Sequence, residues 1–198
     1  VEALSPMITI QSLPVAYLEG ALVFYCPFFI FMMYNMCMKI NSHSPAETEV
    51  FARSFVNEIF VRDRAVHATI VGLYGDLGSG KTTFTQAVAR VLGIETTVTS
   101  PTFVIEKIYT IDKNKADKNP KVNHSQSTAF THLIHIDAYR LEKSEELVRL
   151  DWQEIIADPS NLILIEWPER VSEIVPADHI RLHFTFIDET TREIEMLQ

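Results

Sequence analysis

Eight residues, Gly75-Asp76-Leu77-Gly78-Ser79-Gly80-Lys81-Thr82, constrain this chain more than any others, because they satisfy G-x-x-x-x-G-K-[ST] at every fixed position. Their context fits. The apolar run 68–74 reads as a strand, and Phe84, Val88 and Val91 at i, i+4 and i+7 mark a helix over 81–92 that Gly93 stops. A strand, a glycine-rich turn and a helix in that order make a phosphate cradle. The glycines let successive N–H groups turn inward, and the helix N-terminus behind them favours negative charge. Lys81 would neutralise phosphate oxygens and the Thr82 hydroxyl would take one position on Mg²⁺. Asp76, Leu77, Gly78, Ser79, Gly80 and Thr83 complete the candidate phosphate site. The competing reading is a glycine-rich turn that matches by chance; the flanking strand and helix argue against it. The chain is expected to bind a nucleoside triphosphate.

Downstream, apolar runs alternate with polar helical stretches, which predicts an α/β architecture. Strands are expected over 104–110, 131–137 and 162–165, and a terminal pair over 179–187 and 192–197, joined by a polar turn at 188–191. Ser144 is expected to cap a short acidic helix over 145–150. Residues 112–128 are polar and rich in Lys and Asn, and read as a surface insertion. Within it, Asn114-Lys115-Ala116-Asp117 reproduces the N-K-x-D pattern that reads guanine. It is not at a strand end, and Gly93 is the last glycine, so no D-x-x-G switch can follow the phosphate loop. The match is taken as accidental.

Hydrophobicity is unevenly spread. Residues 21–38 carry no charge, which just reaches the length of a membrane span, but Pro27 interrupts them and only Lys39 flanks them with positive charge. A secretory signal fits worse, since the segment before holds Glu2 and no Lys or Arg. The favoured reading is that residues 1–37 are an upstream extension outside the native protein, with translation starting at Met38 or just before; a membrane or surface helix is the alternative. After it comes an ordinary domain start. Ser44-Pro45-Ala46-Glu47 forms a capping box, and Phe51, Phe55 and Ile59 repeat at helical spacing. One domain over 38–198 follows. The chain's cysteines, Cys26 and Cys37, form no C-x-x-C pattern, so neither a disulfide framework nor a cysteine zinc site is suggested. A formal charge of −9 argues against broad affinity for nucleic acid.

A Mg²⁺ site needs a carboxylate beside the Thr82 hydroxyl. Ligands of parallel sheets gather at strand carboxyl ends, and two acids stand there: Glu166 after Leu162-Ile163-Leu164-Ile165, and Asp137 after Leu133-Ile134-His135-Ile136. Either alone could as well be an acid that is merely solvated or caps the next turn; two beside a strong phosphate loop are candidates for metal and water. His135 lies two before Asp137, on the same strand face, and suits a hydrogen-bonded or catalytic role better than a metal pair. Tyr139 and Arg140 follow; Arg140 could reach a phosphate or pair with an acid, or be a surface arginine.

Four segments in order, the phosphate loop through Thr83, Thr99-Ser100-Pro101-Thr102-Phe103, His135-x-Asp137-x-Tyr139-Arg140-Leu141 and Ile165-Glu166-Trp167-Pro168-Glu169-Arg170, resemble the TsaE (YjeE) family. The resemblance spans Lys39 to about Met196. It implies a P-loop NTPase-like fold with a mixed, mainly parallel sheet flanked by helices, ATP hydrolysis with Mg²⁺, and a cytoplasmic complex with the TsaD and TsaB subunits. That complex modifies the tRNA adenosine next to the anticodon with a threonylcarbamoyl group, and this chain would meet tRNA only through it. The resemblance gives Lys81 to phosphate, Thr82 and Glu166 to Mg²⁺, makes Asp137 necessary for activity, and makes Ser100 and Thr102 part of a switch segment. His135, Tyr139, Arg140 and Trp167 are candidate supports. Residues 1–37 have no counterpart in the family, and the 112–128 stretch is longer than usual.

Two other functions compete. A small-molecule P-loop kinase would need a lid with several arginines, and residues 112–128 contain none. A nucleotide-gated binding module would not hydrolyse at all.

Overall fold

The computed structural model describes residues 38–61, 66–112 and 130–197. The apolar segment before Met38, and the polar insertion beyond Asp112 with its N-K-x-D match, lie outside those residues. In chain order the elements are β1 (Lys39–Ser42), α1 (Pro45–Val61), β2 (Thr69–Tyr74), α2 (Lys81–Val91), β3 (Glu106–Thr110), β4 (His132–Asp137), α3 (Ser144–Val148), α4 (Trp152–Ala157), β5 (Asn161–Glu166), a 3₁₀ turn (Pro168–Val171), β6 (Ile180–Phe186) and β7 (Arg192–Leu197).

The strands form one mixed sheet in the order β1-β7-β6-β2-β5-β4-β3. Its middle is parallel: β6, β2, β5 and β4 run the same way, while β1, β7 and β3 pair antiparallel at the two edges. Every residue of β5 is buried, which is why its middle, Leu162-Ile163-Leu164-Ile165, reads as an unbroken apolar run rather than an alternating one. The parallel register fixes the site. Leu73 lies opposite Glu166 and Glu166 opposite Asp137, so the phosphate loop and both candidate acids leave the sheet along one carboxyl edge.

Each face of the sheet is covered. On one, α1 and α2 bury Phe51, Phe55, Phe84, Val88 and Val91 against Val71, Leu73, Leu162 and Leu164. Phe84 is the hub, with its ring 5.9 Å from Phe51, 5.5 Å from Phe55 and 5.5 Å from Phe184. On the other face Trp152, Leu147, Leu141 and Val171 close over Ile134, Ile136, Ile163 and Ile165. Among the described residues no helix is long and apolar enough to cross a membrane.

The start of α1 is capped as expected: the Ser44 hydroxyl accepts the Glu47 N–H at 3.2 Å, and the Glu47 carboxylate accepts the His43 N–H at 2.8 Å, one residue earlier than a standard box. Other expectations are corrected. Ser144 does not cap α3 but is its first residue; it is buried and donates to Glu173 at 3.3 Å, while the Glu146 carboxylate accepts the N–H groups of Glu142 and Lys143. The strand expected from 104 starts at Glu106, because the preceding residues turn back: Pro101 O accepts the N–H groups of Val104 and Ile105, and Ile105 takes φ 67°. Three elements go beyond the sequence expectations: β1, α4 and the 3₁₀ turn at Pro168–Val171. The strand is short and polar and is defined by its pairing with β7. The helix follows Asp151 in the left-handed region, whose side chain makes no capping bond.

Candidate nucleotide site

The loop between β2 and α2 turns on glycines at φ values that side chains avoid: Gly75 132°, Gly78 78° and Gly80 104°. At Gly75 space alone would exclude a side chain, since a Cβ would lie 2.2 Å from the Phe184 carbonyl oxygen. Gly80, the residue before α2, offers no capping side chain, so the first N–H groups of the helix are left for another acceptor. The Lys81 side chain is buried and turns back over the loop, donating to Gly75 O at 2.6 Å and Asp76 O at 2.8 Å, beneath the Trp167 ring at 4.2 Å. Burial holds its ammonium below the usual lysine value, opposed by the carboxylates of Glu166, Glu169, Asp137 and Asp76. The Ser79 hydroxyl is buried and without a partner.

Across the cradle, Thr82 Oγ1 donates to Glu166 Oε1 at 2.8 Å. Two oxygens on adjacent positions of an octahedron with 2.0–2.1 Å bonds lie about 2.9 Å apart. The hydroxyl and the carboxylate therefore already have the separation that one Mg²⁺ ion would demand. The same Oε1 also meets His135 Nε2 at 2.8 Å; His135 is fully buried and its Nδ1 has no partner. His135 thus serves Glu166, on the neighbouring strand, rather than Asp137, its neighbour in sequence.

Asp137 is bound into the 99–105 loop. Its Oδ2 accepts the hydroxyls of Ser100, at 3.1 Å, and Thr102, and its Oδ1 accepts the Tyr139 N–H at 3.0 Å. The Asp137 N–H donates to Ile105 O at 2.9 Å, so both ends of that loop are tied to one aspartate. Trp167, at φ 59°, leaves β5 by a left-handed turn that lays its ring over Lys81, and Tyr139 packs on it at 5.1 Å. Together Lys81, Thr82, Asp137, Tyr139, Glu166 and Trp167 line a cavity of about 340 Å³ with Ser100 and Thr102. Arg140 is not brought in; its guanidinium lies 4.2 Å over the exposed Phe103 ring.

A second cavity, of about 330 Å³, opens on the other side of the loop, between Gly78, Gly80 and Thr83, the entry to α1 at His43 and Pro45, and Arg192. Sequence reasoning named the loop residues but did not bring His43, Pro45 or Arg192 to them. Their link to the phosphate loop is made by tertiary contact alone, and no spacing in the sequence signals it.

A parallel-centred sheet with this loop at its carboxyl edge and a carboxylate facing the loop threonine defines a P-loop nucleotide-binding protein. The family model "Threonylcarbamoyl adenosine biosynthesis protein TsaE" matches residues 42–194. The chain belongs to the TsaE family. It is 32% identical over 151 residues to the tRNA threonylcarbamoyladenosine biosynthesis protein TsaE of Rickettsia prowazekii, covering 76% of this chain and 88% of that one. With the TsaE of Bacillus subtilis it shares 29% identity over 157 residues, 79% of this chain and 83% of the relative. The crystal structure of Bacillus subtilis YdiB superposes with a TM-score of 0.56 at 25% identity, over 81% of this chain and 84% of that one.

Proposed function

We propose that this chain is a Mg²⁺-dependent ATPase that supports threonylcarbamoylation of tRNA adenosine, working with TsaD and TsaB subunits. The observation that carries the reading is the pairing of Thr82 Oγ1 with Glu166 Oε1 at 2.8 Å, beside a buried lysine on a glycine cradle. Thr82 and Glu166 would hold Mg²⁺, which when bound supplies charge neutralisation on the phosphate oxygens. Lys81 would exchange its bonds to Gly75 O and Asp76 O for the phosphate chain, moving from under Trp167. The N–H groups at the start of α2 would receive the remaining phosphate oxygens. Asp137 would orient, and take the proton of, the attacking water once the Ser100 and Thr102 hydroxyls let go of its Oδ2. His135 positions Glu166. The P-loop ATPase domain would run over 38–198.

Among the described residues, no arginine lines the cavity that holds Lys81 and Glu166. Slow turnover by the isolated chain follows, with acceleration by partners. Partner contact is supported by exposed apolar side chains: Leu77, which lines that cavity, is 80% exposed, and Phe103, next in sequence to the lining Thr102, is 83% exposed. Phosphate release from ATP should be slow, Mg²⁺-dependent, abolished by Lys81→Ala and faster with TsaD–TsaB. Labelled phosphate appearing on a metabolite instead would make the chain a kinase, and tight binding without release would make it a gated binding module.

A further inference from the structure

The crown of the phosphate loop has little of its own to hold it. Gly78 carries no side chain, and a Cβ there would touch nothing within 4 Å. What reaches the crown comes from the far end of the chain. Arg192 Nε donates to Gly78 O at 3.1 Å, while Nη1 donates to Asp188 O at 2.6 Å and Thr191 O at 2.9 Å. The guanidinium also lies 4.3 Å over the Phe186 ring. Its backbone is anchored on both sides, opposite Phe186 on β6 and Ser42 on β1. The carbonyls it grips are presented by a turn that Asp188 ties down: its Oδ1 accepts the N–H groups of Thr190 at 2.9 Å and Thr191 at 2.8 Å.

We infer that Arg192 is a positioning residue for the phosphate loop, holding the peptide between Gly78 and Ser79 in its anion-receiving orientation. In a planar trans peptide the C=O and the following N–H point opposite ways. Fixing Gly78 O toward Arg192 on β7 therefore turns the Ser79 N–H the other way, where it donates to Asp76 O at 3.2 Å, a bond that a phosphate oxygen would share or displace. A loop ordered in advance loses less freedom when a phosphate chain binds, so the clamp acts on affinity rather than on the chemical step. Lysine cannot replace it. One ammonium on a flexible stem cannot serve three carbonyls in the plane of a fork while lying flat on a ring.

The affinity part of this inference rests on the nucleotide reading; loop order does not, and both are measured. Amide hydrogen exchange of residues 76–80 without nucleotide is compared in the wild type, Arg192→Gln and Arg192→Lys, with α1 amides and the melting temperature as controls. Mg·ATP affinity is followed by Trp167 fluorescence, and kcat is taken at saturation. Both variants should exchange the loop amides about tenfold faster, as expected for local loosening, with α1 unchanged. Their Kd should rise about tenfold, equivalent to about 1.4 kcal/mol, with kcat within about threefold of wild type. Wild-type loop exchange in Arg192→Gln, or full recovery in Arg192→Lys, would overturn the inference, the latter by showing that charge alone suffices. If Arg192→Gln does not fold, Asp188→Ala loosens the same turn and should shift loop exchange the same way; no shift overturns the inference. If wild type binds no nucleotide, the proposed function fails while loop exchange still decides the role of Arg192.

Discussion

Replacing Glu166 with glutamine separates the roles of its carboxylate, because it removes the charge at nearly constant volume. Glu166 is 4% exposed, and its Oε1 accepts from both Thr82 and His135 at 2.8 Å. Hydrogen bonds to a charged group contribute about 1.5–3 kcal/mol against about 0.5–1.5 for neutral pairs, so two weakened bonds cost about 2 kcal/mol. Against this stands desolvation of the carboxylate, which costs several kcal/mol in a buried site. The two terms oppose, so the folded protein should be nearly as stable as wild type or more so. Its melting temperature should fall by no more than about 5 °C, given about 2–4 °C per kcal/mol for a domain of this size. Metal use should suffer far more. Loss of outer-shell partners alone weakens metal affinity by about 10–100-fold, so loss of a direct carboxylate ligand should cost at least about 100-fold. The assay is phosphate release against Mg²⁺ concentration, alongside thermal melting. Unchanged Mg²⁺ dependence would refute the ligand role, and a melting temperature lowered by well over 5 °C would show that the carboxylate is mainly structural.

Three further predictions test the packing, the electrostatics and the rim. Phe84→Ala empties the aromatic hub between α1, α2 and β6 and should cost about 3–5 kcal/mol, read from denaturant unfolding midpoints. Glu106 is raised to about 7 by burial, with Asp151 adding to it. The folded state then holds a proton that the unfolded chain releases near its ordinary value, so this contribution is full below about 4.5 and is lost as pH rises to about 7. Urea midpoints at pH 5 and pH 8 should show that decline in wild type and less of it in Glu106→Gln. Phe103→Ser should leave folding intact but weaken association with TsaD–TsaB by at least tenfold in a binding titration, as expected for an exposed aromatic anchor.

The phosphate loop was legible because its chemistry is local: eight consecutive residues and their flanking periodicities contain the strand, the turn and the helix. Glu166 and Asp137 were legible for a related reason. A buried parallel strand is an unbroken apolar run, so the acid that ends it marks the carboxyl edge, and the register then aligns both acids. His135 was half legible. The shared strand face was correct, but the choice of Glu166 over Asp137 as its partner depends on how β4 lies against β5. Nothing local identifies β1, whose four residues become a strand by pairing with β7 at the far end of the chain. The grip of Arg192 on Gly78 crosses the same divide, and a guanidinium at the start of a polar terminal strand looks like any surface arginine until the sheet is assembled.

Calorimetric titration of Mg·ATP into the folded protein, with Lys81→Ala as its companion, tests the central claim most directly. The account predicts saturable 1:1 heat for wild type, a much weaker response when Mg²⁺ is chelated, and none for the variant. A folded wild type that takes up no nucleotide, or a Lys81→Ala variant that binds as well, would contradict it.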